Sequence, residues 1–342
     1  MIEYTKGNLL EDQAEALVNT VNCVGVMGKG IALQFRQAFP ECFADYKQAC
    51  DAGEIKPGYL HVHETGNFLG PRFIVNFPTK RHWKGKSKIE DITAGLDALR
   101  SWIEETGIRS IALPPLGCGN GGLAWNVVRK LIEQKLAGLD DVSIRVFEPV
   151  GAPESKAMSV ATKRPNMTRG RAALLAVFRE YLIPGYELSM LEIQKLAYFL
   201  QEVGEPLKLN FEKQKYGPYA ETLHHVLQRI EGHFIRGYGD RSRDACVEVY
   251  EDAMRQAQET LEQEYPETLQ RAEHVKDMIE GFETPYGLEL LSSVHWVIQH
   301  EPEASVEKTV DAVHSWNQRK AQLFPEKHIR IAWNRILSTP KN

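Results

Sequence analysis

Residues 19–40 read N-T-V-N-C-V-G-V-M-G-K-G-I-A-L-Q-F-R-Q-A-F-P. The segment that enters this stretch, residues 16–21 (A-L-V-N-T-V), is apolar and β-branched, with the length of a buried strand. The segment that leaves it, residues 31–39, places Ile31, Phe35 and Phe39 on one stripe of a helix. Between them lie Gly25, Gly28 and Gly30. Strand, glycine-rich turn and helix together present bare backbone N–H groups and a positive helix end to an anion. No G-K-[ST] closes the turn, so it is not a P-loop, and it does not follow G-x-G-x-x-G. Taken alone, the pattern fits a phosphate cradle and an ordinary tight turn equally well.

Residues 108–125, I-R-S-I-A-L-P-P-L-G-C-G-N-G-G-L-A-W, repeat the arrangement. An apolar run enters a turn holding Gly117, Gly119, Gly121 and Gly122, and a helix leaves over 123–137. Two strand–loop–helix units suggest two loops gripping one elongated ligand at the carboxyl ends of the strands. The pair V-N-x-x-N-x-x-G-x-x-G-x-G-I-A and P-x-x-G-C-G-N-G-G-L resembles the macrodomain family, which binds ADP-ribose. Within that family it looks most like the DarG branch, antitoxins that remove ADP-ribose from DNA bases. The resemblance covers roughly the first 150 residues.

A chain of 342 residues favours two domains, at about 100–200 residues each. Its 43% hydrophobic and 25% charged content is that of a globular protein able to bury a core. No apolar run approaches the roughly 20 residues that span a bilayer, and the start has no signal-peptide shape, so a cytoplasmic protein without membrane contact is expected. Five cysteines without framework spacing read as reduced thiols, and none pairs with histidines at metal spacing, so no metal and no cofactor are expected. A net charge of −5 excludes a globally basic nucleic-acid binder but not a local basic patch.

Strands are expected near 2–6, 16–21, 59–64, 72–77, 109–113 and 142–147, and helices near 30–38, 41–51, 88–106 and 123–137. Such alternation means a three-layer α/β/α sandwich, and the resemblance implies a mixed sheet. A turn over 65–71 separates the third and fourth strands. After the fourth strand comes P-T-K-R-H-W-K-G-K-S-K, residues 78–88. Basic side chains interleaved with an aromatic suit single-stranded nucleic acid, with charge for phosphates and a flat face for a base. Arg81, His82, Trp83, Lys84 and Lys86 are the candidate DNA contacts. Lys80, the first residue past that strand able to reach the cleft, could pair with a phosphate or act as nucleophile or acid/base.

The resemblance decides that choice: it implies that Lys80, preceded by Thr79 in the context N-F-P-T-K, is catalytic. It also implies that Asn22 contacts the distal ribose, that Gly28, Lys29, Gly30 and Ile31 form the first substrate loop, and that Gly117, Cys118, Gly119, Asn120 and Gly121 hold the diphosphate. Asn8 and Leu9 fall at the adenine end, where Asn8 replaces an aspartate common in the family. Related lysine-using macrodomains carry an aspartate in the second loop. The loop here has none, which leaves the water to a diphosphate oxygen or to His82.

Residues 151–169 are small, polar and proline-punctuated, a linker. Beyond it helical periodicity dominates over 172–181, 188–203, 219–230, 247–280 (divided by Pro266), 288–299, 306–323 and 326–337. His224, His225 and His233 read as surface or internally bonded histidines. Tyr198, Phe199, Tyr216 and Tyr219 read as core. The pieces K-L-A-Y-F (195–199) and Y-G-P-Y (216–219) resemble the SocA-like (Panacea) antitoxin domain, which implies a toxin-binding module over 170–342.

The expectation is a macrodomain over 1–150 that hydrolyses the N-glycosidic bond of ADP-ribosylated bases in single-stranded DNA, joined to a helical domain that neutralises a cognate DarT-like ADP-ribosyltransferase. The residues themselves leave two alternatives: an ADP-ribose reader, or a hydrolase of protein-linked or small-molecule ADP-ribose esters.

Overall fold

The computed structural model describes residues 1–66, 70–150, 153–241, 245–301 and 305–339. Part of the expected turn over 65–71 and the first two residues of the expected linker lie outside the described residues. The chain clusters into two units, Met1–Lys163 with Asp240–Ser242, and Arg164–Gly239 with Arg243–Asn342.

The first unit runs β1 (Ile2–Thr5), β2 (Ala16–Asn22), α1 (Gly30–Ala38), α2 (Pro40–Asp51), β3 (His61–Glu64), β4 (Phe73–Lys80), α3 (Ile89–Thr106), β5 (Ser110–Leu113), α4 (Trp125–Lys135) and β6 (Ser143–Phe147). The sheet order is β1-β6-β5-β2-β4-β3. All its pairings are parallel except the antiparallel β3–β4 edge. Alternation of side chains across the pleat divides the core. Ala16 and Val18 of β2 join Phe73, Val75 and Phe77 of β4 on one face, packed against Ile92, Leu96 and Leu99 of α3 and Val128 and Ile132 of α4. Leu17 and Ile74 point to the other face, with Phe35 of α1 and Cys42 of α2. This is the three-layer mixed-sheet sandwich expected of a macrodomain.

Most ends shift by one or two residues, and one larger difference bears on the site. β4 does not stop at Phe77 but runs through Pro78 and Thr79 to Lys80. Val21 pairs with Pro78 and Asn22 with Lys80, so the register shifts and Thr79 is the extra residue of a bulge. Proline lacks a ladder donor, and a bulge is one place where a strand tolerates it. Lys80 is therefore the last residue of the strand rather than the first of the loop.

The second unit runs α5 (Arg169–Tyr181), β7 (Leu188–Ser189), α6 (Met190–Glu202), β8 (Glu212–Gln214), β9 (Gly217–Tyr219), α7 (Leu223–Ile230), β10 (Ile235–Arg236), β11 (Cys246–Val249), α8 (Glu251–Glu264), α9 (Pro266–Ile279), α10 (Pro285–His300), α11 (Val306–His314), α12 (Gln318–Leu323) and α13 (Glu326–Ser338). It is mostly helical, as the periodicity indicates, but several ends move. Leu188 and Ser189 pair with Val247 and Cys246, so α6 starts later than expected and α8 starts at Glu251. Residues 217–219 close a hairpin on β8 rather than opening α7. Pro266 is the first residue of α9, where its missing N–H costs nothing. Asn317 accepts from the Lys320 N–H (2.9 Å) and caps α12, splitting the helix expected over 306–323.

The two pieces that resemble the antitoxin domain are bonded to each other. Gln194 of α6 donates to the Ala220 carbonyl (3.0 Å) and accepts from its N–H (2.9 Å). Lys195 Nζ donates to the Pro218 carbonyl (2.6 Å). Burial, with Lys320 adding, pushes Lys195 down to about 7. Tyr198 and Phe199 are core residues as expected, whereas Tyr216 at the hairpin tip is exposed. His224 is an internally bonded histidine, touching Tyr219 Oη (2.7 Å) and Tyr238 Oη (2.9 Å).

Gly95 of α3 lies against Phe77, whose ring atoms would stand 2.2–2.9 Å from an added Cβ. Gly95→Ala is expected to destabilise the first unit by about 1–3 kcal/mol through overpacking, read as a lowered midpoint in urea denaturation.

Candidate functional site

The sheet delivers the glycine loops and Lys80 to one end. The parallel pairing of β2 with both β4 and β5 sends three connections out at the same carboxyl edge: the loop after Asn22, the basic loop after Lys80, and the loop after Leu113. Ligands of open α/β sheets bind at that edge.

Asn22 builds the first loop. Its Oδ1 accepts from the N–H groups of Val24 (3.0 Å) and Val26 (3.4 Å), and its Nδ2 donates to the Val26 carbonyl (2.5 Å). The hydroxyl of buried Tyr46 donates to the Asn22 carbonyl (2.5 Å). A ribose hydroxyl would share Asn22 with these bonds. Lys29 occupies the N-cap position of α1 without a side-chain cap bond. The Gly30 N–H donates to the Asp240 carbonyl (3.1 Å), so that donor is taken. Ile31 packs against the core beneath the loop.

The second loop is folded on itself. Cys118 N–H donates to Pro115 O (3.0 Å), Gly122 N–H to Gly119 O (3.1 Å) and Leu123 N–H to Gly117 O (3.1 Å). The N–H groups of Gly119, Asn120 and Gly121 take no partner among the described residues. Successive free amides in a turn form a concave anion site. Burial pushes the Cys118 thiol up to about 11, which disfavours its thiolate form.

Lys80 joins the loops. Its ammonium donates to the Asn120 carbonyl. The Asn120 side-chain amide in turn lies 3.1 Å from where a Cβ on Gly30 would stand. First loop, second loop and the end of β4 therefore meet at Lys80, Asn120 and Gly30. Partial desolvation lowers the lysine pKa from its ordinary value, enlarging the neutral, nucleophilic fraction. Thr79 is buried and donates to the Val21 carbonyl (3.4 Å), which turns it into the sheet.

The basic loop is pinned at both ends. Arg81 makes a two-pronged bond to Asp91 of α3 (3.3 and 3.1 Å), and the Ser87 N–H donates to the Gly121 carbonyl (3.1 Å). Residues 82–86 between these anchors are exposed. His82 stacks on Trp83 (5.6 Å), Lys84 Nζ lies over the Trp83 ring (4.9 Å), and the Lys84 N–H donates to His82 Nδ1 (3.2 Å). His82 thus has its Nδ1 and one ring face taken up within the basic loop. Asn8, expected at the adenine end, spends its side chain capping a short turn, on Leu10 N–H (3.1 Å) and Glu11 (2.9 Å). Leu9 is buried in the core and offers a ligand only its backbone.

Two residues were not singled out from sequence. Asp91 reads there only as an acidic residue in a helix's first turn. Ser87 gives no signal, yet its buried Oγ has no partner among the described residues and would stand 2.3 Å from a Cβ on Gly121. Among the described residues no cluster of His, Cys, Asp and Glu could hold a metal ion, and no helix is long and apolar enough to cross a membrane.

The Macro domain family profile matches residues 18–132. Over 98% of its length the chain is 47% identical to a DNA ADP-ribosyl glycohydrolase of Thermus aquaticus, covering 93% of that protein. It is 41% identical to a DNA ADP-ribosyl glycohydrolase of Mycobacterium tuberculosis, over 99% of this chain and 100% of that one. Over 44% of its length it is 33% identical to a DNA ADP-ribosyl transferase–DNA ADP-ribosyl glycohydrolase fusion protein of Thermosipho africanus, covering 42% of it.

A Cβ on Gly121 would stand 2.2 Å from the Gly117 carbonyl oxygen, so the second loop cannot keep its shape around alanine. Gly121→Ala is expected to weaken ADP-ribose binding by about tenfold or more in calorimetry, the loss of preorganised donors, while the thermal midpoint moves little.

Proposed function

Because this chain belongs to the DNA ADP-ribosyl glycohydrolase family, the DarG branch of the macrodomains, we propose that it hydrolyses the N-glycosidic bond between ADP-ribose and a base of single-stranded DNA. The observation that carries the reading is the position of Lys80, bonded to the Asn120 carbonyl between the two glycine loops. The free amides of Gly119, Asn120 and Gly121 hold the diphosphate, which brings C1 of the distal ribose to the lysine.

Lys80 acts as the nucleophile. With one N–H donated to Asn120, its lone pair is directed at C1. The Nζ–C1 bond forms as the bond from C1 to the base nitrogen breaks. The electron pair leaves with the base, which takes up a proton. Water then displaces the lysine, restoring its amine and releasing ADP-ribose. The second loop, residues 117–122, contains no carboxylate, and His82 is held in the basic loop. A diphosphate oxygen of the ligand is therefore assigned to orient that water. The exposed lysines and Trp83 (49% exposed) hold the strand.

The second unit binds and blocks the cognate DNA ADP-ribosyltransferase. Support comes from the Thermosipho africanus relative, whose name joins a transferase and a glycohydrolase in one chain.

The test is release of labelled ADP-ribose from an ADP-ribosylated single-stranded oligonucleotide. Lys80→Ala in the full chain is expected to abolish release while still inhibiting the transferase. Release by Lys80→Ala at the wild-type rate would remove the mechanism. The nucleophilic role fixes the sign of the pH dependence, and the lowered Lys80 pKa moves its midpoint down. A neutral amine nucleophile gives a rate that rises with pH until Lys80 is fully deprotonated, with its midpoint below the ordinary lysine value of about 10.4. A rate that falls as Lys80 deprotonates would indicate a cationic role instead. Replacing Lys84 and Lys86 together by Glu is expected to raise KM for the oligonucleotide and to lower the salt-dependence slope by about 2.

A further inference from the structure

We propose that Val24 and Val26 form an apolar platform for the nucleobase that carries the ADP-ribose, an inference that rests on the hydrolase reading above and adds the base contact it lacks. Along the first loop, exposure alternates. Val24 (44%) and Val26 (39%) face outward, while Gly25 and Met27 are buried between and after them. A Cβ on Gly25 would meet Lys47 Cγ at 3.5 Å and Cys50 Cβ at 3.6 Å, so that residue faces α2. Met27 packs with Val21 and Tyr46. The loop is thus held from beneath, and its two branched aliphatic side chains stand in water.

That exposure is built in. Asn22 spends both ends of its amide on Val24 and Val26, and Tyr46 fixes the Asn22 carbonyl. A mobile loop could fold two valines away from solvent; this one cannot. Rigid exposed apolar side chains beside a polar cleft mark a contact surface.

The location selects the occupant. Asn22 is opposite Lys80 in the sheet, and the Cys23 N–H donates to the Arg81 carbonyl (3.3 Å), extending the pairing one step past the lysine. Val24 emerges next, at the edge shared by the nucleophile and the basic loop. The group that must sit there is whatever is bonded to C1 on the side opposite the diphosphate. For this reaction that group is a base, flat and apolar on its faces. The lysines of 82–86 take the strand's phosphates, and the valines take the face of the base.

The test uses the full chain with Lys80→Ala, so that the substrate stays intact. Binding of an ADP-ribosylated oligonucleotide and of free ADP-ribose is measured with and without V24S/V26S, with melting curves to check the fold. The double substitution is expected to weaken oligonucleotide binding by about tenfold, the scale of losing buried valine contacts, and to leave ADP-ribose binding unchanged. V24I/V26I is expected to retain it. Equal weakening for both ligands would mean that the valines merely shape the loop, and no weakening for either would mean they meet nothing; each overturns the platform. Loss of transferase inhibition alone would assign the pair to a protein contact and overturn it as well. Turnover by the chain with Lys80 intact is scored separately. Its absence would end the hydrolase reading, while the difference between the two ligands still decides the platform.

Discussion

The pairing of β2 with β4 is the constraint from which the site follows. Both strands are buried on both faces, and each residue's direction is fixed by the pleat. A slip by one residue would exchange Val18 with Leu17 between the two cores and carry Lys80 out of reach of the second loop. The bulge at Thr79 sets the last step of the register, placing Lys80 opposite Asn22. Packing over the whole sheet thus determines where one amine stands. A side chain on a strand end is positioned more tightly than one on a loop. The Asn120 carbonyl then needs to supply only orientation.

The second unit is organised by buried polar bonds as well as by its apolar helices. Glu289 of α10 is held by Arg319 (2.6 and 3.1 Å) and Lys320 (2.8 Å), with Lys320 also on Ser293 (2.9 Å). Glu205 is gripped by Arg169, Thr268 and Arg271. Removing one partner of such a group leaves a charge stranded in the interior, which costs more than the bond itself supplied. Around the β8–β9 hairpin the same economy applies: Gln194 and Lys195 hold one strand while Trp316 and Asn317 hold carbonyls near the tip (2.9 and 3.0 Å). This hairpin is therefore a fixed feature of the domain surface.

The first unit was legible in the sequence because its signals are periodic and local. Apolar β-branched runs, helical stripes and glycine turns each mark their own element, and all six strands of its sheet fall where the runs place them. The catalytic reading of Lys80 came from the family resemblance of its N-F-P-T-K context, since the residues alone left a phosphate contact open. What stayed hidden depends on contacts distant in sequence. Nothing local shows that Asn22 folds its own loop, that Asp91 anchors Arg81, or that Ser87 lies under Gly121. In the second unit, pairs such as Leu188 with Val247 override helical periodicity, because a two-residue strand leaves no pattern of its own.

The two anchors of the basic loop separate what is fixed from what is free to vary. Arg81 is tied to Asp91 and Ser87 to Gly121, so whatever stands between them hangs from fixed points. Residues 82–86 can gain or lose charge without disturbing Lys80 or the second glycine loop. If a DNA strand is held there, as proposed, its grip can be altered without moving the anchored ends. Charge at five exposed positions can therefore change while the fixed points on either side stay in place.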